Sequence, residues 1–167
     1  INSDLANDLG NLVSRSTAML NKYFGGTLPE AGAPEEIDTT LIEKAAAVMA
    51  ELDEQMNNLA FNRALQAIWT LISAANKYID DTAPWSLAKD SEQKERLGTV
   101  MYNLLETVRL IGLMVTPFMP GSGAKIAGIL GQDCTNTLLD CQDAWNGLQP
   151  GQVIEKAQPI FPRIETD

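Results

Sequence analysis

Asn11 and Arg15 stand four residues apart on a stretch of helical period, so their side chains share one face of a helix. An Asn offers amide donors and a carbonyl acceptor, and an Arg offers a planar fork that also stacks on flat rings. Together they can read the edge of a base; they are equally an ordinary solvated pair. Pro84-Trp85 is the second feature. A Trp directly after a Pro, in a connection between helices, either closes over the bundle as a lid or presents its ring to a partner. Stacking one base on such a ring contributes about 1–3 kcal/mol. Asp80 and Asp81 end the preceding helix, where carboxylates face the negative end of its dipole. They are solvated there, bind a basic partner, or repel unsuitable bases. Lys89 can meet a phosphate or stay a plain surface lysine. Asn76 and Trp69, on the flank of the same helix, read as packing and internal hydrogen bonding.

Other chemistry is scarce. The chain has 167 residues, with 12 Lys+Arg, 22 Asp+Glu, two Cys and no His. Lack of His removes Ser/His/Asp triads, Cys/His pairs and His-ligated zinc. Cys134 and Cys141 read as idle or buried thiols. No spacing pairs the carboxylates for acid/base work. There is no phosphate-binding Walker loop, no G-x-G-x-x-G and no metal-ligand cluster. Gly121-Ser122-Gly123 precedes a helix and could hold an anion, although the nearby prolines favour a plain turn. A net charge of -10 argues against coating of nucleic acid by counterion release. It leaves open the recognition of a few unstacked bases. No run of about 18 apolar residues spans a membrane, and no leader peptide is evident, so a cytoplasmic location is expected.

The elements that must position these residues are helices. Leu5, Leu9, Leu12, Val13, Leu20 and Phe24 form an apolar stripe from Ser3 to Phe24, with Ser3 as N-cap and Gly25-Gly26 as stop. Asn11 and Arg15 lie nearly opposite that stripe. A loop follows to Glu36. A second helix is predicted from Asp38, as its cap, to about Gln55. A third runs from about Asn57 to Asp80, burying Phe61, Leu65, Ile68, Ile72, Ala75 and Ile79, and stops ahead of Pro84. The fourth begins near Asp90-Ser91, with Gln93 as capping-box partner. It carries a long stripe through Leu97, Val100, Met101, Leu104, Leu105, Val108, Ile111 and Val115. Pro117 and Pro120 break it, and a short helix spans about Ser122 to Leu130. Thereafter Thr135 to Ala144 supports one or two helical turns, Asn146-Gly147 and Gln149-Pro150-Gly151 mark turns, and Pro159 to Ile164 is extended. No repeat or domain break interrupts the chain. The fold class is all-α: a bundle of about five helices over 1–131 and an irregular tail over 132–167.

Several segments, in order and from end to end of the chain, resemble the anticodon-binding helical domain of the methionyl-tRNA synthetase family of class I aminoacyl-tRNA synthetases. They are Asn2-Ser3-Asp4-Leu5-Ala6-Asn7, Gly10-Asn11-Leu12-Val13-Ser14-Arg15, Ala74-Ala75-Asn76-Lys77-Tyr78-Ile79-Asp80, Ala83-Pro84-Trp85, Thr116-Pro117-Phe118-Met119-Pro120 and Phe161-Pro162-Arg163-Ile164-Glu165. The resemblance implies that Asn11 and Arg15 contact anticodon bases, that Trp85 stacks on one with Pro84 shaping its approach, and that Asp80 helps reject wrong anticodons. It implies a methionine tRNA with a CAU anticodon as partner. It also implies a Rossmann catalytic domain of the same parent chain, which uses ATP to attach methionine.

The nucleotide-binding signatures of that catalytic domain are absent here, as are the zinc knuckle and the oligomerisation domain of some members. This chain is therefore expected to be an excised fragment, consistent with its Ile1 start, with no cofactor of its own and no activity alone. The tail is expected to pack toward the missing catalytic domain. A helical docking module for a basic protein is the competing reading. A free-standing enzyme is disfavoured by the lack of His.

Overall fold

The computed structural model describes residues 7–132 and 145–161. The Ser3 cap, Cys134, Cys141, the turns expected over 135–144 and the residues after Phe161 lie outside them. The described residues hold α1 (Asn11–Phe24), α2 (Glu36–Asn57), α3 (Phe61–Thr82), α4 (Pro84–Leu87), α5 (Lys94–Val115) and α6 (Pro120–Ile129). Four of these are the predicted long helices, α6 is the predicted short one, and α4 is a single turn.

α5 is the centre. Its predicted stripe from Leu97 to Val115 is buried throughout. So are Gly98, Thr99, Tyr102, Asn103, Glu106, Thr107 and Arg109, on the other faces of the same helix. A helix enclosed on all sides is a core helix, and α1, α2, α3, α4 and α6 all pack on it. Gly112 permits a close approach of α6: a Cβ there would lie 2.7 Å from Ile126 Cγ2.

Local physics explains the departures from the predicted boundaries. Asp38 is not the cap of α2; it sits inside the first turn, fully buried, and accepts a hydrogen bond from the Glu35 N–H at 2.8 Å. Pro120 also opens α6 as its first residue, because a first-turn N–H has no helical partner to lose. Phe61 lies on the predicted buried stripe of α3 yet is 49% exposed. It is the first residue of α3, at the tip of the α2–α3 hairpin, beyond the end of the core. Asp90 does cap as predicted, accepting from the Glu92 N–H at 3.0 Å, but through a 3-10 turn (Ser91–Gln93) that leads into α5.

Residues 145–161 are irregular, with Asn146 and Gly151 at φ 70 and 87 in the predicted turns. They are not detached. Leu148, Ile154, Ala157 and Ile160 are buried in the core. The Leu28 N–H donates to Gln152 O at 2.9 Å, and the Ile154 N–H donates to Gly26 O at 2.8 Å.

Two buried carboxylates tie these pieces together. Glu106 of α5 accepts from Arg109 Nη2 at 2.6 Å, from the Gly147 N–H at 2.8 Å and from the Leu148 N–H at 3.0 Å. Tyr102 donates to Leu148 O at 3.0 Å, so the tail is clamped from both sides of that residue's backbone. Gly147 is required there, since a Cβ would fall 2.2 Å from Arg109 Cζ. Asp38 accepts from Tyr78 of α3 at 2.5 Å and from Arg96 of α5 through both terminal nitrogens, one of them at 3.1 Å. Burial alone would raise the Asp38 carboxyl, but the bonds from Arg96, Tyr78 and the Glu35 N–H hold it below the ordinary carboxylate range.

Glu106→Ala, which removes the carboxylate facing Arg109 and strands two backbone donors, should lower the unfolding free energy by about 3–5 kcal/mol in urea titrations. Asp38 has a folded pKa below its unfolded one. Its contribution is therefore complete above the unfolded value of about 4 and is lost as pH falls through the folded value. Asp38→Asn should lower stability at pH 7 and flatten the decline of stability below pH 4, measured by urea titration across that range.

Candidate nucleic-acid interface

The end of α3 is built to stop and turn. The Thr82 hydroxyl donates to Tyr78 O at 2.6 Å, and the Ala83 N–H donates to Ile79 O at 3.0 Å. Ala83 then adopts φ 43 and ψ 65, the left-handed region, at a cost of about 1–2 kcal/mol for a residue with a Cβ. Pro84 follows as the first residue of α4, where its fixed φ and missing N–H cost nothing. The Ser86 N–H and Ala88 N–H close this turn on Ala83 O and Pro84 O at 2.8 and 2.9 Å. Pro84 is buried, whereas Trp85 is 42% exposed. The proline anchors the turn and the next residue projects. Of the two readings open for Trp85, a closed lid and a presented ring, the geometry is that of a ring partly held and partly offered to solvent.

The first helix brings the other candidates to the end of α3. Arg15 is one turn along α1 from Asn11, which is exposed. Arg15 Nη2 donates to Asp80 Oδ1 at 3.1 Å, joining α1 to α3; the two side chains are 33% and 65% exposed. The structure thus unites Arg15 and Asp80 directly and sets Trp85 five residues further along the chain. Asp81 is occupied differently, by an ion pair with Lys77 one turn back. Asn76 donates to Ile72 O at 3.2 Å and to Asp8 O at 3.4 Å, an internal role as expected. Trp69 is half-buried against the core, but its enclosed indole N–H has no hydrogen-bond partner among the described residues, contrary to expectation. Lys89 is exposed beyond α4. The Gly121-Ser122-Gly123 stretch forms the first turn of α6; a Cβ on Gly123 would meet Thr116 Oγ1, so that glycine serves packing, whereas one on Gly121 would meet nothing. Among the described residues no three Asp, Glu, His or Cys side chains gather as metal ligands would.

The contact that sequence reasoning missed is the Arg15–Asp80 pair. The two residues are 65 apart, and no local period connects them. Their opposite charges were the only available signal. The chemistry of these groups is an exposed amide, a guanidinium paired with a carboxylate, and a half-exposed indole.

A family model described as the anticodon binding domain of methionyl tRNA ligase matches residues 28–167. The chain belongs to this family. The resemblance carried by the motifs is thereby borne out. The methionine–tRNA ligase of Clostridium acetobutylicum is 49% identical over 170 residues, taking in 100% of this chain and 26% of that protein. The methionine–tRNA ligase of Clostridium perfringens is 47% identical over 167 residues, again 100% of this chain and 26% of that protein. The apo form of Mycobacterium tuberculosis methionyl-tRNA synthetase superposes with a TM-score of 0.92 at 33% identity, covering 99% of this chain and 34% of that one. This anticodon-binding domain therefore spans about a quarter of the length of the curated relatives it matches, at 26%. The remainder of each relative, which includes the catalytic part of a ligase, has no counterpart in these 167 residues.

Within the domain the Arg15–Asp80 pair is largely solvated, so it contributes little to folding. Asp80→Asn should change the unfolding free energy by less than about 1 kcal/mol, and the change should shrink further in high salt. Paired denaturation curves at low and high ionic strength check this.

Proposed function

We propose that this domain grips the anticodon loop of a methionine tRNA and reads its CAU triplet, within a cytoplasmic parent ligase whose catalytic domain uses ATP to attach methionine. The half-exposed Trp85, five residues along the chain from the Asp80 that pairs with Arg15, carries this reading. The ring stacks on an unpaired base, and Asn11 and Arg15 meet base edges. Pro84 holds the turn that presents the ring. ATP chemistry belongs to the parent's catalytic domain, and this domain needs no cofactor of its own.

Asp80 gives the reading selectivity. Its carboxylate already occupies one donor of Arg15, so a base edge must outcompete an existing hydrogen bond. A base with two well-placed acceptors does so, whereas one with a single acceptor, or with donors, leaves charged groups unpaired. Each good bidentate contact discriminates by about 1–3 kcal/mol.

An acidic domain of net charge -10 has little to gain from phosphates. Binding of an anticodon stem-loop should consequently show a shallow slope of log affinity against log salt.

Trp85→Ala should weaken binding of a CAU stem-loop by about 5- to 150-fold, the equivalent of 1–3 kcal/mol, while the thermal midpoint of the domain stays within a few degrees of the parent. Fluorescence anisotropy with CAU and single-base-changed loops is the measurement. Equal affinity for all loops would replace this reading with the protein-docking one.

A further inference from the structure

We infer that Tyr78 is a positioning residue for the anticodon-reading surface: fastened to the buried Asp38, its phenol fixes the rotation of the last turns of α3 and so the placement of Asp80 and Trp85. The inference rests on the proposed reading of that surface and adds to it a residue with no exposure toward tRNA.

The geometry runs from the inside outward. Tyr78 is 3% exposed, and its hydroxyl donates to Asp38 Oδ1 at 2.5 Å. Asp38 is itself immobilised by Arg96 of α5 and by the Glu35 N–H. Arg96 reaches Glu35 as well, at 3.3 Å. The phenol of α3 is thus bolted to a point fixed by α2 and α5 together. Burial, and then the facing Asp38 carboxylate, push the phenol well above its ordinary pKa, so it remains a donor at any pH at which tRNA is handled.

Asp80 follows Tyr78 by two residues, about 200° around the helix. With Tyr78 locked inward, Asp80 must point outward, toward Arg15. The carbonyl of Tyr78 accepts from Thr82 and that of Ile79 from Ala83, so the same turn carries the left-handed residue that launches Pro84-Trp85. A side-chain tip about 6 Å from the helix axis moves by about 1 Å for a rotation of about 10°. A displacement of that size is enough to spoil a hydrogen bond or a stack.

Tyr78→Phe removes the bolt and leaves the rest. The ring keeps its volume, and Asp38 keeps Arg96 and the Glu35 N–H, so the carboxylate is not orphaned. The test uses the 167-residue chain labelled with fluorotryptophan, in which Trp69, Trp85 and Trp145 give separate fluorine resonances, assigned by Trp85→Phe and Trp145→Phe. In Tyr78→Phe the Trp85 resonance should shift or broaden while that of Trp145 stays. Affinity for a CAU stem-loop, per folded molecule, should fall about ten-fold, within the 10²-fold that a 1 Å misplacement can cost. The preference over a loop with its first anticodon base changed should shrink. Arg96→Lys, which loosens the same carboxylate from the α5 side, should move both readouts in the same direction.

A merely structural tyrosine would lower the thermal midpoint and leave the Trp85 resonance and the base preference unmoved; that result overturns the inference. So does a moved resonance with an unchanged preference. A wild-type chain with no preference for CAU overturns the functional reading instead, and the fluorine measurement alone then judges the coupling between Tyr78 and Trp85.

Discussion

Asp38 is an ionised carboxylate with no solvent exposure, and a charge in that position is tolerated only when its oxygens are fully engaged. Four donors from three parts of the chain do this: the Glu35 backbone, the Tyr78 phenol and the two terminal nitrogens of Arg96. The requirement is mutual. None of the three helices can rotate or slide without leaving the charge short of a partner. α2, α3 and α5 thus share one register, and apolar packing alone would allow several. Leucine and isoleucine stripes hold helices together but tolerate small rotations; a carboxylate with fixed donors does not.

Glu106 performs the same service at the opposite part of the fold. It converts an irregular segment, which has no ladder or helix to satisfy its backbone, into part of the core by accepting from the Gly147 and Leu148 N–H groups. The all-round burial of α5 follows from these two demands. It must reach Asp38 with Arg96 near its start and the tail with Glu106 in its middle, while α1 and α6 cover its remaining faces. The candidate surface lies at the end of α3. A left-handed alanine and a buried proline there precede a half-exposed aromatic ring, five residues along the chain from the Asp80 that pairs with Arg15. The electrostatics differ inside and out: the buried charges join helices, whereas the exposed pair contributes little to folding.

Much of this was legible from residue order. The stripes of α1 and α5, the stop at Gly25, the turn before Pro84 and the Asp90 cap all follow from local periodicity and capping chemistry. Asp38 was misplaced because a carboxylate near a helix start is indistinguishable in sequence from a cap; only the arrival of Arg96 from 58 residues away makes it a core residue. Phe61 was misplaced because periodicity describes a face of a helix and not where along that face the neighbouring helices end. α5 stops at Val115, ahead of Pro117 and Pro120 as expected, and Pro120 in addition opens α6, since its ring is well suited to the first residue of a helix.

Residue types and spacing by themselves determined that the chain folds as helices, where most of them start and stop to within about a turn, and which faces turn inward; α1 is the exception, beginning at Asn11 rather than after Ser3. Those properties depend on interactions within about four residues, written along the chain, whereas the family showed through the resemblance of whole motifs. Only the tertiary structure decided that Trp85 stands 42% exposed, that Arg15 is already engaged by Asp80, and that Tyr78 and Arg96 meet on one buried carboxylate. Each of these depends on which side chains meet across tens of residues, and no local period encodes such meetings.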